Sequence, residues 1–243
     1  MVSSQALEEF WKFPKFGDGI GFHRLFLLLE ALDALSWLEQ FSTIKVTGSN
    51  GKGSTCAFIS EILHAGGWNV GLFISPHLFR FHERISINGE SISEKALQKI
   101  LSQVIAGAKE LKNEKFGRFE LSVALAIKYF QEQKAEIGVI EVGIGGRFDS
   151  TRIFRGPVTV LTSLDLEHTD LLGSTKEAIG YEKLDLADPN SKVVLGNLPA
   201  ELIPKLKAYG KLNNLHLRSV MEIVDGKILS ESATKLICSF EHS

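Results

Sequence analysis

The stretch I-K-V-T-G-S-N-G-K-G-S-T, residues 44–55, constrains the fold more than any other part of the chain. Alternation over 43–47 fits a short strand, Gly48 opens a glycine-rich turn, and an apolar helical pattern starts just beyond Lys52. Strand, glycine turn and helix in this order make a phosphate-binding loop, in which backbone N–H groups and the positive end of the helix dipole meet an anion. In such a loop Gly48, Ser49, Asn50, Gly51 and Gly53 form the cradle and Lys52 reaches the terminal phosphates. A hydroxyl from Ser54 or Thr55 then meets phosphate or Mg²⁺. The common spacing asks for a glycine five residues before Gly51 and finds Val46. On this stretch alone, an ordinary strand-to-helix turn stands as the alternative.

The rest of the chain supplies the layers for such a loop. Strand patterns at 69–74, 84–87, 137–142, 157–162 and 192–195 alternate with helical patterns at 21–39, 53–65, 96–111, 119–130 and 174–187. Asn88-Gly89 predicts a hairpin turn, and Ser91 with Glu94, then Ser174 with Glu177, have capping-box spacing. The alternation predicts an α/β fold, a mostly parallel sheet flanked by helices. Past Gly196 the pattern weakens: 199–209 reads as a helix that Pro204 starts late or kinks, and 220–229 as a hairpin turning at Asp225-Gly226. The expected division is a phosphate-loop domain over 1–196 and a weaker end of that domain over 197–243.

Composition narrows the partners. A net charge of −2 carries no basic footprint, which argues against duplex nucleic acid. Apolar stretches fall short of the ~20 residues of a membrane span. Cys56 and Cys238 stand far apart, as in a reducing compartment, and the first residues lack a basic-then-apolar leader, so a cytoplasmic protein is expected.

In open α/β sheets ligands bind at the carboxyl ends of strands. Ser75 and His77 follow one strand, Glu141 ends another, and Asp165, Glu167 and His168 follow a third. A hydroxyl, a carboxylate and an imidazole beside a phosphate loop suit nucleotide-bound Mg²⁺, with the imidazole acting through water or suiting Mn²⁺ instead. Plainer alternatives are a Glu141–Arg147 salt bridge, ordinary surface roles for Ser75 and His168, and a solvated Lys183. The run G-I-G-G-R-F-D, 143–149, lacks the dinucleotide-binding spacing and reads as a tight loop carrying Arg147 and Asp149 to a ligand.

Five stretches, V-T-G-S-N-G-K-G-S-T, S-P-H-L-F-R-F-H-E-R-I, V-I-E-V-G-I-G-G-R-F-D-S-T, T-S-L-D-L-E-H-T-D-L-L-G-S-T and Y-E-K, stand in the order of one family. The chain resembles the folylpolyglutamate synthase and dihydrofolate synthase family of the Mur ligase superfamily, whose loop also lacks the early glycine. The resemblance implies an ATP-dependent ligase that adds L-glutamate to a folate or to dihydropteroate through an acyl phosphate. It implies ATP phosphates on residues 49–54 with Lys52 on the transferring group, one Mg²⁺ at Ser75 and Glu141, and a second at His168. It places Lys183 where the family has a carbamylated lysine, and Phe148, Asp149, Ser150 and Gly117 at pterin contacts. Departures fall at Ser49, Arg152, Glu167, Leu184, Asp185 and Gly117-Arg118, where the family usually has other residues. Family members are longer and end in a second α/β domain, which this chain is expected to lack or to find on a separately encoded partner. The ligase is therefore expected to be impaired. A non-catalytic ATP-binding remnant and a Mur-type ligase with another acceptor are the competing readings.

Overall fold

The computed structural model describes residues 5–18, 22–232 and 235–242, with side chains as far as residue 222. A short helix, α1 (Gln5–Phe10), opens the chain and buries Ala6 and Phe10. The apolar run at 21–39 makes two helices, α2 (His23–Ala31) and α3 (Leu35–Leu38), because Asp33 between them turns left-handed at φ 52°. Gly21, at the head of that run, lies outside the described residues. Then come β1 (Ser42–Thr47), α4 (Lys52–Ala65) and β2 (Val70–Phe73). A 3-10 turn, Phe81–Arg84, leads into β3 (Ile85–Ile87) and β4 (Glu90–Ser91). Asn88 and Gly89 join those two strands with positive φ at both, the backbone that a tight hairpin demands.

Ser91 is thereby spent on pairing with Ser86, and the cap of α5 (Glu94–Glu110) falls to Ser93, whose side chain accepts from Ala96 N. After α6 (Arg118–Glu132) and β5 (Ile137–Glu141) a second 3-10 turn, Ser150–Ile153, precedes β6 (Arg155–Leu161). A short α7 (Thr169–Leu172) is followed by α8 (Lys176–Leu184), capped by Thr175 rather than Ser174. Beyond β7 (Lys192–Leu195), α9 (Ile203–Leu212) starts late and carries Pro204 in its first turn, where no N–H is needed. It returns to β8 (His216–Ser219), which the sequence pattern does not announce. α10 (Val220–Ile223) leads to β9 (Val224–Ser232) and β10 (Lys235–His242). Asp225 and Gly226 pair with Glu241 and Phe240 inside that ribbon instead of turning; the connection at 233–234 lies outside the described residues.

Eight strands form one sheet in the order β4-β3-β2-β5-β1-β6-β7-β8, parallel except for the β3–β4 edge. The α/β, mostly parallel architecture follows the strand–helix alternation of the sequence. Successive residues of β5 split between two cores, as the period of two in a strand requires. Val139 packs with Val46, Val70 and Cys56 of α4, while Ile140 joins Leu28, Leu125 and Phe130 of the helices opposite. A third core joins Leu161, Val193 and Leu195 to Ile179 of α8 and Leu206 of α9. The strand order puts β1 between β5 and β6, so the loop after β1 is flanked by the chain leaving two other strands.

One charge lies deep in this frame. Lys45 is fully buried, and its Nζ donates to Leu186 O at 2.8 Å, Phe154 O at 3.3 Å and Asp188 Oδ2 at 2.8 Å. Asp188 also accepts from Arg155 Nη1 at 2.7 Å and Gly156 N at 2.9 Å, so both members of the pair are saturated. A lysine inside an alternating strand gives no sign of this in the sequence.

Candidate functional site

The turn after β1 has positive φ at Gly48 (139°) and Gly51 (80°). A side chain at Gly48 would also collide with the Thr162 hydroxyl, so glycine is required there by both conformation and space. The loop is braced on the segment leaving β6. Ser49 N donates to Ser163 O at 3.0 Å, Asn50 N to Ser163 Oγ at 2.9 Å, and Thr162 Oγ1 to Asn50 O at 2.7 Å. Lys52 folds its ammonium back onto Gly48 O at 2.8 Å and Ser49 O at 3.3 Å. No side chain caps α4, and Ser54 is exposed on its first turn, so the head of the helix stays open to an anion.

Glu141 ends β5 beside Val46 of β1, and a Cβ on Gly53 would lie 3.5 Å from its carboxylate. Ser75 N donates to its Oε2 at 2.9 Å. Burial raises its pKa, which the Ser75 amide and the Lys52 charge oppose. The Glu141–Arg147 salt bridge does not form: Arg147 instead pairs with Asp185 and stands 4.0 Å from Glu182. His168 takes a left-handed conformation (φ 45°, ψ 40°) at the head of α7.

Lys183 is not the solvated charge that its place in a helix suggests. It is 2% exposed, and its Nζ donates to Glu167 at 2.7 Å. Burial holds its pKa below the ordinary lysine range, with Lys52 adding to the effect and Glu167 opposing it.

A cavity of about 890 Å³ takes Lys52, Ser75 and His168 into the same wall as Gly117, Phe148 and Ser150. Glu141 and Lys183 stand outside its lining; Glu141 reaches it through the N–H of Ser75, and Lys183 lies near the Lys52 charge. Gly117 permits a close crossing, since a Cβ there would lie 2.5 Å from Gly17 N. Its amide donates to Glu120 at 2.8 Å, and the buried Glu120 pairs with Arg24 at 2.6 Å. Phe148 is 53% exposed with the Arg147 guanidinium 5.8 Å from its ring centre.

Asp149 also lines the cavity, but its carboxylate is occupied. Oδ1 accepts from Thr151 N at 2.9 Å and from Thr151 Oγ1 at 2.5 Å, and Oδ2 from Ile144 N at 2.8 Å. In this arrangement Asp149 shapes the loop that presents Phe148. Sequence reasoning missed Trp11, Phe16, Arg84 and Arg118 in the wall. Only Arg84 lies within a quoted motif, and no periodicity marks any of them.

Among the described residues no group of three or more His, Cys, Asp or Glu makes a ready-built metal cage. Mg²⁺ does not need one, because it keeps several waters and binds through one or two carboxylates plus substrate phosphates. The Glu141 carboxylate beside the Ser75 backbone and the glycine loop fits that donor set.

A glycine loop between the central strand of a parallel sheet and a helix, with polar groups on adjoining strand ends, defines a P-loop nucleotide-binding domain. The model of the Mur ligase middle domain matches residues 46–216, and the chain belongs to that family. Its relatives there are folylpolyglutamate and dihydrofolate synthases. The dihydrofolate synthase/folylpolyglutamate synthase of Haemophilus influenzae is 37% identical over 186 residues, 76% of this chain and 41% of the relative. The folylpolyglutamate synthase of Lacticaseibacillus casei is 39% identical over 190 residues, 76% of this chain and 44% of the relative. A solved FPGS–AMPPCP–folate complex superposes with a TM-score of 0.88 at 31% identity, covering all of this chain and 60% of that one. The chain thus spans less than half the length of the two relatives. No helix among the described residues is long and apolar enough to cross a membrane.

Proposed function

We propose that this chain is the ATP-binding part of a ligase that joins L-glutamate to the carboxylate of a folate or of dihydropteroate. The observation that carries the reading is the shared cavity: Lys52 of the phosphate loop and the aromatic wall at Phe148 face one space. A folate-sized acceptor lying along Phe148 can extend its carboxylate to the phosphate end. The relatives' names, and the bound nucleotide analogue and folate of the solved complex, support the same reading.

In the reaction an acceptor carboxylate oxygen attacks the γ-phosphorus of ATP and ADP leaves. The amine nitrogen of glutamate then attacks the acyl carbon, phosphate departs, and the amine loses a proton. Phosphoryl transfer of this kind rests on positioning and charge neutralisation. The N–H groups at the head of α4, from Gly51 to Ser54, hold the phosphates, and Lys52 exchanges its contacts with Gly48 O and Ser49 O for phosphate oxygens. Glu141 and Ser75 would hold one Mg²⁺ and His168 a second, and the ions would supply positive charge to neutralise the phosphates. If Lys183 is carbamylated it becomes an anion beside Glu167, and the two then need a cation between them. A second domain, in the same polypeptide or a separate one, completes the glutamate site. A cytoplasmic location and small-molecule partners go with this reading.

The test is phosphate release that depends on both L-glutamate and a pteroyl acceptor. Release by the chain, alone or with a second domain supplied, supports the proposal. ATP binding with no acceptor-dependent release under either condition overturns it in favour of a nucleotide-binding remnant.

A further inference from the structure

Two guanidinium groups in the cavity wall lack an acidic partner among the described residues. Arg84 donates its Nε to His77 Nδ1 at 2.9 Å and lies 5.2 Å from the Phe81 ring centre. Arg118 lies 5.0 Å from the Trp11 ring centre, and Trp11 meets Phe81 edge to face at 6.2 Å. The two arginines are thus mounted on adjoining aromatic rings. Neither forms a salt bridge with any described residue, although both line the cavity.

The acids of the same wall are already committed. Glu120 pairs with Arg24, Asp149 accepts from backbone and Thr151, and Glu182 lies 4.0 Å from Arg147. Burial, and then the charge of Arg118, lower the pKa of Arg84, while no carboxylate opposes them. Two half-buried cations that repel each other are costly to keep, unless an anion enters between them.

We infer that Arg84 and Arg118 bind a second carboxylate of the acceptor, distinct from the one that is phosphorylated, and so select an acceptor that already ends in glutamate. The inference rests on the reading of this cavity as the acceptor site. Dihydropteroate has one carboxylate, which the reaction needs near Lys52. A pteroylglutamate has two, and the free one can accept from the guanidinium pair. Arg84 is suited to this position because its backbone oxygen accepts from Ile74 N, the residue before Ser75. Arg118 occupies the first position of α6, next to the close crossing at Gly117.

Binding of pteroate and of pteroylglutamate to the full chain with a non-hydrolysable ATP analogue tests this. The unaltered protein is expected to bind pteroylglutamate at least about tenfold more tightly, as a charge-assisted pair warrants. Arg118→Gln and Arg84→Gln should each remove most of that preference, leave pteroate affinity within about threefold and keep nucleotide affinity unchanged. Equal affinity for the two compounds in the unaltered protein, or a preference that survives both substitutions, overturns the inference. Nucleotide binding with neither compound bound overturns the acceptor reading itself.

Discussion

Lys45 and Lys183 are both buried lysines paired with an acid, yet their surroundings differ. Lys45 has two carbonyls and Asp188 around its ammonium, and Asp188 is held in turn by Arg155 and Gly156 N. Lys183 has one acidic partner, Glu167, and stands near the Lys52 charge. A charge buried to hold a fold is surrounded until every donor is used. A charge buried with a single partner beside the candidate site keeps capacity for a ligand, and burial leaves it easier to neutralise or modify.

The contrast predicts opposite outcomes for similar truncations. Lys45→Ala leaves Asp188 and two carbonyls without their donor and should cost about 3–5 kcal/mol of stability, read from denaturant unfolding. Lys183→Ala should lower acceptor-dependent turnover by roughly 10²–10³-fold while costing only about 1 kcal/mol of stability, since Glu167 is near enough to solvent to rehydrate. An equal loss of stability in both variants would break the distinction. Gly48→Ala places a side chain at φ 139° against Thr162. It should destabilise by about 1–3 kcal/mol and weaken nucleotide binding, as a thermal shift with and without ATP would show.

Glu141 sharpens the same point through pH. Its pKa is raised by burial, so above the unfolded value near 4.5 the unfolded chain gives up the proton first. Its contribution to stability is full below that pH and is lost as pH rises through the folded pKa. Glu141→Gln should therefore be more stable than the unaltered protein at neutral pH, converge with it in acid, and lose Mg²⁺-dependent nucleotide binding. Unfolding curves at several pH values decide this; a difference that does not vanish in acid would contradict the assignment. The smallest effect is expected at Arg155, the outer member of the Lys45 cluster, with a side chain 63% exposed. Arg155→Ala should cost no more than about 1 kcal/mol in the same unfolding assay.

The α/β class, the place of the phosphate loop and the approximate spans of most strands follow from local pattern. Glycine positions and hydrophobic period act over a few residues. Where one hydroxyl competes with another for a helix cap, as at Ser91 and Ser93 or Ser174 and Thr175, the choice depended on which residue the preceding chain left free. The break at Asp33 and the return strand β8 likewise rest on packing against distant elements.

The loop residues 48–54, and Ser75, Glu141, His168 and Lys183, were readable as candidates because their motifs are contiguous and their order along the chain is distinctive. What they face was not readable. Burial of Lys183 on Glu167, saturation of Lys45, and the approach of Arg84 to Arg118 across Trp11 and Phe81 each join residues from different elements. The sequence determines which groups are available and which backbone turns they require. Only the tertiary structure decides which charges lose water and which partners they find, because desolvation and pairing depend on distance in space.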